Sequence, residues 1–214
     1  YLRRNLIPNM HAQLQFINGP LLAGAAIDYK GIKPRDYTTS PLDNSIHTTN
    51  ERLHGLSGMA FAKVQSGALK VLLKGMYGQN LADHLVFGGY AVSTLDSITG
   101  RETYTPMNHI FGYINITYGQ TLMPGIFIGF ARNLGANDSI IHDPSAIYSR
   151  GGEYDNILRV STNFTYRLDR LTLIGEVEYT TADIGTNSLT DKAKVVNTHN
   201  VANTRVHVLV QYDF

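Results

Sequence analysis

Cysteine is absent from the 214 residues, and tryptophan is absent as well. Without cysteine the chain has no disulfide, no thiolate nucleophile and no cysteine-based zinc site. Neither sign of charge is in excess, because 18 lysines and arginines face 17 aspartates and glutamates, so we expect no nucleic-acid partner. The eight histidines form no HExxH pattern and no i, i+4 pair. We therefore expect neither a metal site nor a cofactor.

Long hydrophobic runs are also missing, since no apolar stretch approaches the roughly 18 residues that a membrane helix needs. The mean hydropathy of −0.13 would class the chain as soluble in any search for membrane helices. A membrane β-barrel escapes such a search, because only every second residue of its strands faces lipid. The thirteen tyrosines are enough to form interfacial aromatic belts.

The C-terminal stretch VHVLVQYDF alternates with a period of two. One set of side chains is apolar and runs from Val206 to Phe214, whereas the other set contains Arg205, His207 and Asp213. Period two is the strand period. This stretch by itself fits a half-buried strand of a soluble protein as well as a membrane strand with one face on lipid.

Nine segments have strand character, and helical periodicity is absent from all of them. Short turns alternate with long connections between these segments. Outer-membrane barrels sort their connections in this way, with short periplasmic turns and long external loops. We therefore predict one all-β domain over residues 1–214, a transmembrane antiparallel β-barrel. The segments are 9–17, 21–29, 53–64, 68–78, 108–118, 125–133, 157–167, 171–180 and 204–214; the short turns are 18–20, 65–67, 119–124 and 169–170; the long connections are 30–52, 79–106, 134–154 and 182–203.

The odd number of segments suggests a larger barrel. The first and the last segment both run toward the short turns, whereas bacterial single-chain barrels have even strand numbers. The N-terminal YLRRNLIPNM also lacks the apolar region of a signal peptide, so we expect a mature chain or a piece of a longer one. We predict that these are the last nine strands of a barrel of roughly 16–18 strands, with N-terminal strands missing.

Charged side chains recur on the more polar face of the predicted strands, together with Asp28 and Asp213. One hypothesis is that they line a pore and favour anions slightly, because charged rings set selectivity at close range. The alternative is that they pair between neighbouring strands and solvate the wall. Glu176 and Glu178 share a face as any i, i+2 pair does, so we expect no catalytic role for them. The candidate pore-lining residues are Lys70, Lys74, Arg159, Arg167, Glu176, Glu178, Arg205 and His207.

The alternation of side chains between the two faces also predicts which residues of segments 157–167 and 171–180 lie opposite each other. A two-residue turn at Asp169-Arg170 sets Asn163 opposite Glu176 and Ser161 opposite Glu178. On the other face it sets Phe164 opposite Gly175, where the ring covers the bare backbone. Arg159 then lies diagonal to Glu178, and the last strand brings Arg205 or His207 to its other side. We predict a charge cluster there.

Several phrases together resemble the DcaP-like family of outer-membrane porins over about residues 50–214. The resemblance implies a homotrimeric channel for small, often anionic solutes in the outer membrane of a Gram-negative bacterium. It also implies that the barrel-assembly machinery reads the aromatic C-terminal strand, and that outer-membrane lipid and lipopolysaccharide surround the barrel. The phrases are YGQNLADHLVFGGYAVSTLDSITG, GFARNLGAND, LRVSTNFTYRLDRLTLIGEVEYTTADIG and KVVNTHNVANTRVHV.

We therefore predict a porin for passive diffusion of small hydrophilic solutes, and not an enzyme. A substrate-specific channel or a structural barrel whose loops bind a partner stays an alternative. A barrel enzyme also stays open, because a Ser-His-acid arrangement is recognised by geometry and not by sequence order. The apolar stretch LADHLVFGGYAV within 79–106 is predicted to fold into the lumen as a constriction or to dock on a neighbouring protomer.

Overall fold

The computed structural model describes residues 7–84 and 87–214. Strands dominate, and the described residues contain only two short 3-10 helices besides, Leu81–His84 and Pro144–Ala146. None of the described helices has the length and apolar character to cross a membrane. The strands are β1 (Met10–Asn18), β2 (Leu21–Ile32), β3 (Tyr37–Thr39), β4 (Ile46–Thr48), β5 (Leu53–Ser66), β6 (Leu69–Gln79), β7 (Gly88–Leu95), β8 (Glu102–Tyr118), β9 (Leu122–Ala136), β10 (Ile147–Arg150), β11 (Tyr154–Leu168), β12 (Leu171–Asn187) and β13 (Val195–Tyr212).

Nine of these strands form one antiparallel sheet in the order β1-β2-β5-β6-β8-β9-β11-β12-β13. Each strand pairs with the next along the path, so the sheet is an up-and-down meander. All nine predicted segments are confirmed as members of it. Within the described residues the sheet stays open, with β1 and β13 at its two edges. The predicted antiparallel barrel architecture is thus present as an open wall.

Four tight turns connect the strands at one end of the sheet. Each contains a residue with a left-handed backbone: Gly19, Gly67, Gly119 and Asp169 have φ values of 54°, 56°, 124° and 50°. Glycine adopts this conformation without steric cost, and aspartate tolerates it. The predicted turn 119–124 is too long, because β9 already begins at Leu122. The sorting of short turns to one end is confirmed.

The opposite end holds the long connections, and they are more ordered than the sequence suggests. β3 pairs with β4, and β7 pairs with both β8 and β10. The predicted loop 182–203 is wrong, because β12 and β13 stay paired up to Asn187 and Val195. Backbone pairing continues there, whereas the side chains of THNVANT are polar or small on both faces. The alternation that marks a strand in sequence is therefore lost before the strand ends.

The two faces of the sheet differ in chemistry. One, the apolar face, carries the even residues of β13, and its valines Val206, Val208 and Val210 are 70%, 79% and 63% exposed. Directly paired residues share a face, so the pairing extends this face across all nine strands. The other, the polar face, carries the odd residues of β13, among them Arg205 and His207. A sheet of this kind presents an unpartnered hydrophobic surface, which is typical of a lipid-facing wall.

A small hydrophobic core lies among the long connections. It consists of Ala91, Met107, Ala136, Ile140 and Ala193, all nearly or fully buried. These residues come from β7, β8, β9 and two connecting segments. The long connections are therefore packed against one another at this end of the wall.

Candidate functional site

All eight candidate residues lie on the polar face, as the pairing shows. Lys74 pairs with Tyr113, which pairs with Gly129 and then Arg159. Lys70 lies two rows further along this face, and its row ends with the direct pair of Glu176 and His207 on β12 and β13. The remaining candidates are placed on the same face by the pairs Glu178–Arg205 and Arg167–Thr172.

The predicted register between β11 and β12 is confirmed in each of its pairs. Ser161 lies opposite Glu178, and Asn163 lies opposite Glu176. On the apolar face Phe164 lies opposite Gly175, and a Cβ atom added to Gly175 would meet the Phe164 ring at 2.5 Å. The ring therefore covers the backbone where the glycine has no side chain. A two-residue turn and period two were sufficient to predict this register.

Glu178 is the centre of a charge cluster on the polar face. Only 7% of it is exposed. Arg205 Nη2 donates a hydrogen bond to Glu178 Oε2 over 2.9 Å, and Arg159 Nη2 forms an ion pair with the same oxygen. The hydroxyl of Thr180 donates to Oε1 over 3.1 Å. Because one carboxylate serves two arginines, the cluster retains a net positive charge. The predicted cluster is confirmed, with Arg205 as the direct partner.

The cluster continues as an aromatic stack across three strands. The guanidinium of Arg159 lies 5.6 Å from the centroid of the Phe127 ring, within cation–π range. On its other side Phe127 stacks on Tyr113, with 5.6 Å between the centroids and 29° between the planes. The Phe127 ring leans over Gly129, where an added Cβ would meet it at 2.8 Å. Glycine at this position therefore gives the ring its place between Tyr113 and Arg159.

Three lysines on β5 and β6 form a second cationic region of the polar face, and we name Lys63, Lys70 and Lys74 the lysine group. Lys63 pairs with Leu72 across the strands, so it shares the face of the other two. None of the three has an ion pair in the described part of the chain. Lys74 Nζ lies 5.7 Å from the centroid of the Phe111 ring. Apart from the contact with that ring, the ammonium groups of the lysine group face solvent.

The segment between β6 and β8 folds back over the polar face. Lys30, on the polar face of β2, is buried, and its Nζ donates to the backbone oxygen of Asn80 over 2.6 Å. The same Nζ is 2.8 Å from Asp83 Oδ2. Leu81 is only 1% exposed beside these contacts. A buried ammonium needs such partners, so Lys30 anchors the start of this segment.

Phe87 shows where the apolar stretch of this segment lies. Its ring stacks on Tyr154 at 6.0 Å with 7° between the planes, and it lies 6.0 Å from the His109 ring. Together with Tyr113 and Arg159 it borders a cavity of about 610 Å³. The described part of the stretch thus lies over the polar face. Leu85 and Val86, which belong to the same stretch, lie outside the described residues.

Salt bridges and turns hold the remaining long connections. Arg35 lies 3.2 Å from Glu102 and donates to the Tyr148 hydroxyl over 2.7 Å. Hydrogen bonds from Ser45 and from Ser40 lower the pKa of Asp43 to about 2. The hydroxyl of Thr99 and the backbone N–H of Ile98 lower the pKa of Asp96. Both aspartates are therefore ionised at neutral pH, and each fixes a turn.

Sequence reasoning missed four polar-face residues of this arrangement: Lys63, Phe87, Tyr113 and Phe127. Lys63 lies on the polar face of β5, and the alternation of side chains along that strand is sufficient to predict this position. The spacing Phe127-Ile-Gly129 signals a ring leaning over a glycine two residues along the same face. Phe87 belongs to the apolar stretch that the sequence already indicates, but its contacts with Tyr154 and His109 depend on the fold of the 22-residue connection 80–101.

No protein-family model matches this chain, and no curated protein matches it in sequence. Among solved structures the chain is similar to the outer membrane channel DcaP of Acinetobacter baumannii, with a TM-score of 0.61 and 13% sequence identity. The match covers 98% of this chain and 52% of DcaP, so this chain spans about half the length of that channel. The similarity establishes the fold, which is the wall of an outer-membrane β-barrel.

Proposed function

We propose that this chain is part of a porin-like channel of the DcaP type in the outer membrane of a Gram-negative bacterium. One observation carries the proposal: a single sheet separates an exposed apolar face from a polar face that carries cations without counter-ions. A wall between lipid and water needs this separation. The fold that the chain shares with an outer membrane channel is consistent with it.

The solutes follow from the charge of the polar face. Within the nine strands its cations outnumber its carboxylates, and the lysine group has no counter-ions. We propose passive diffusion of small hydrophilic solutes with a mild preference for anions, because fixed charges act on ions at close range. The cations are Lys63, Lys70, Lys74, Arg159, Arg167 and Arg205, beside the anchored Lys30, and the carboxylates are Asp28, Glu176 and Glu178.

Barrel closure requires further strands. β1 precedes a tight turn, and β13 begins at the opposite end of the sheet, where Val195 pairs with Asn187, so both edge strands run toward the tight-turn end. Antiparallel pairing between two edges of the same direction requires an odd number of additional strands. We propose a complete barrel of roughly 16–18 strands, assembled as a homotrimer. The barrel-assembly machinery would recognise the aromatic C-terminal strand.

The covering segment between β6 and β8 is proposed to narrow this channel. Phe87 and the Lys30 anchor hold it over the polar face. Deletion of residues 82–92 is expected to raise the conductance of the reconstituted protein. An unchanged conductance would mean that the segment only covers the external surface.

Single-channel recording in a planar bilayer tests the function. The native protein, purified from the outer membrane, is expected to give large ohmic steps in potassium chloride. Absence of steps at high protein concentration would favour a structural barrel. Steps that a single solute blocks fully at micromolar concentration would favour the substrate-specific alternative. The intact mass of the native protein, expected to lie well above 23.7 kDa, tests the additional strands independently.

A further inference from the structure

Arg132 has an unusual place in the sheet. Among the described residues of the nine strands it is the one lysine or arginine on the apolar face, since the others lie on the polar face. Its side chain is 53% exposed, and its Nε is 3.7 Å from Asp155 Oδ1. The pairing with Ile110, itself paired with Tyr77, places Arg132 in a row with that tyrosine. Tyrosines on the apolar face of a barrel mark the headgroup level.

A groove lies on the apolar face directly beside this row. Its floor is the cross-strand row Ala60, Gly75 and Gly112, and its walls include Ile114, Ile128 and Phe130. The groove has a volume of about 690 Å³. A Cβ atom added to Gly75 would have no neighbour within 4 Å. The floor of the groove is backbone because the glycines in it have no side chain. The groove is therefore open toward the surroundings of the apolar face.

The groove and Arg132 are continuous. Phe130, in the wall, precedes Arg132 by two residues on the same face of β9. Ile110, which also borders the groove, is the direct cross-strand partner of Arg132. A cation at the headgroup level with an apolar groove beneath it complements a molecule that joins an anionic group to a hydrocarbon chain.

We propose that this surface binds lipopolysaccharide, with a phosphate of its lipid anchor on Arg132 and one acyl chain in the groove. The inference rests on the proposed outer-membrane location. Arg132 lies toward the end of the long connections, which in outer-membrane barrels is the outer side. The outer leaflet supplies lipopolysaccharide, whose phosphates would reach the exposed guanidinium. Asp155 is the one ion-pair partner of this guanidinium in the described part of the chain.

Native mass spectrometry of the complete protein tests this site, with lipopolysaccharide of defined acylation added in detergent. Arg132→Gln removes the charge and is expected to weaken retention about tenfold, the equivalent of one charge-assisted hydrogen bond. Gly75→Leu fills the groove from its floor and is expected to abolish retention of the bound lipid. Gly58→Leu is the matched control, because Gly58 lies on the same face, also has open space around it, and does not line the groove.

Each outcome decides the proposal. Loss of bound lipid in Arg132→Gln and Gly75→Leu, with normal retention in Gly58→Leu, supports it. Equal retention in all variants overturns it, as does equal displacement by phosphatidylglycerol. Dissociation of the assembly by Gly75→Leu would also overturn it and would show that a second protomer occupies the groove. The variants leave the polar face intact, so an unchanged conductance separates failure of this proposal from failure of the channel proposal.

Discussion

The polar face holds its cations in two different ways. On β11 to β13 the guanidinium groups of Arg159 and Arg205 share the carboxylate of Glu178, and Phe127 packs against Arg159. On β5 and β6 the lysine group has no carboxylate partner in the described residues, and a single ring, Phe111, lies near one of its members. The two regions are joined by the Tyr113–Phe127 stack.

The difference separates two roles of charge in a barrel wall. In the arginine region the carboxylate of Glu178 holds two guanidinium groups in position, so these charges contribute mainly to local order even though one positive charge is left over. The lysine group has no carboxylate partner in the described residues, so in the proposed channel it is expected to contribute most to the field on a passing ion. Pairing between neighbouring strands is thus present in the arginine region, and the pore field is a prediction for the lysine group.

The largest expected effect comes from the lysine group. Substitution of Lys63, Lys70 and Lys74 by glutamine removes three charges from the proposed wall. A unit charge about 10 Å from an ion in water is worth about 0.4 kcal/mol, so three change the anion preference about eightfold. The reversal potential in a potassium chloride gradient at low salt measures this change. A shift toward cations is expected, and an unchanged potential would exclude these lysines from the conducting path.

A smaller effect, about twofold toward anions, is expected from Glu178→Gln. Glu176→Gln is the matched control, because it removes the same charge from the same strand and face without breaking an ion pair. Both variants should shift the reversal potential alike. Only Glu178→Gln should lower the free energy of unfolding, by about 1 kcal/mol, because it loses charge-assisted hydrogen bonds. Equal denaturation midpoints for the two variants would show that the cluster does not order the wall.

The smallest effect is expected at the ring that joins the two regions. Phe127→Leu keeps an apolar side chain but removes the cation–π contact with Arg159, worth about 0.5–1 kcal/mol at an exposed site. Phe127→Tyr retains the ring and serves as the control. Denaturant unfolding from lipid vesicles measures both. Equal stability of the leucine and tyrosine variants would show that the contact with Arg159 does not stabilise the wall.

Strand positions and register were predictable where one face must be apolar. The pairs Asn163–Glu176 and Phe164–Gly175 followed from period two and a two-residue turn, because a one-residue slip would exchange the faces. The same rule placed Arg205 beside Glu178. These features depend on local pattern and on neighbouring strands only.

The ends of β12 and β13 and the long connections could not be predicted from alternating side chains. β12 and β13 continue to Asn187 and Val195 through residues in which polar and apolar side chains do not alternate, so the sequence pattern does not mark them as strands. The ring of Phe87 and the ammonium of Lys30 find partners that are distant in the chain, Tyr154 and Asp83. Such contacts depend on the tertiary fold of the long connections, whose sequences have no regular alternation from which the fold could be predicted.

We propose that the polar face lines water and that the apolar face meets lipid. Because these 214 residues contain no cysteine, they add no background to single cysteines introduced along β12. A negatively charged, membrane-impermeant thiol reagent is expected to modify cysteines at 176, 178 and 180 and to lower the conductance. Cysteines at 175, 177 and 179 are expected to stay unmodified in the bilayer. Modification that ignores this alternation, or that reverses it, would contradict the account.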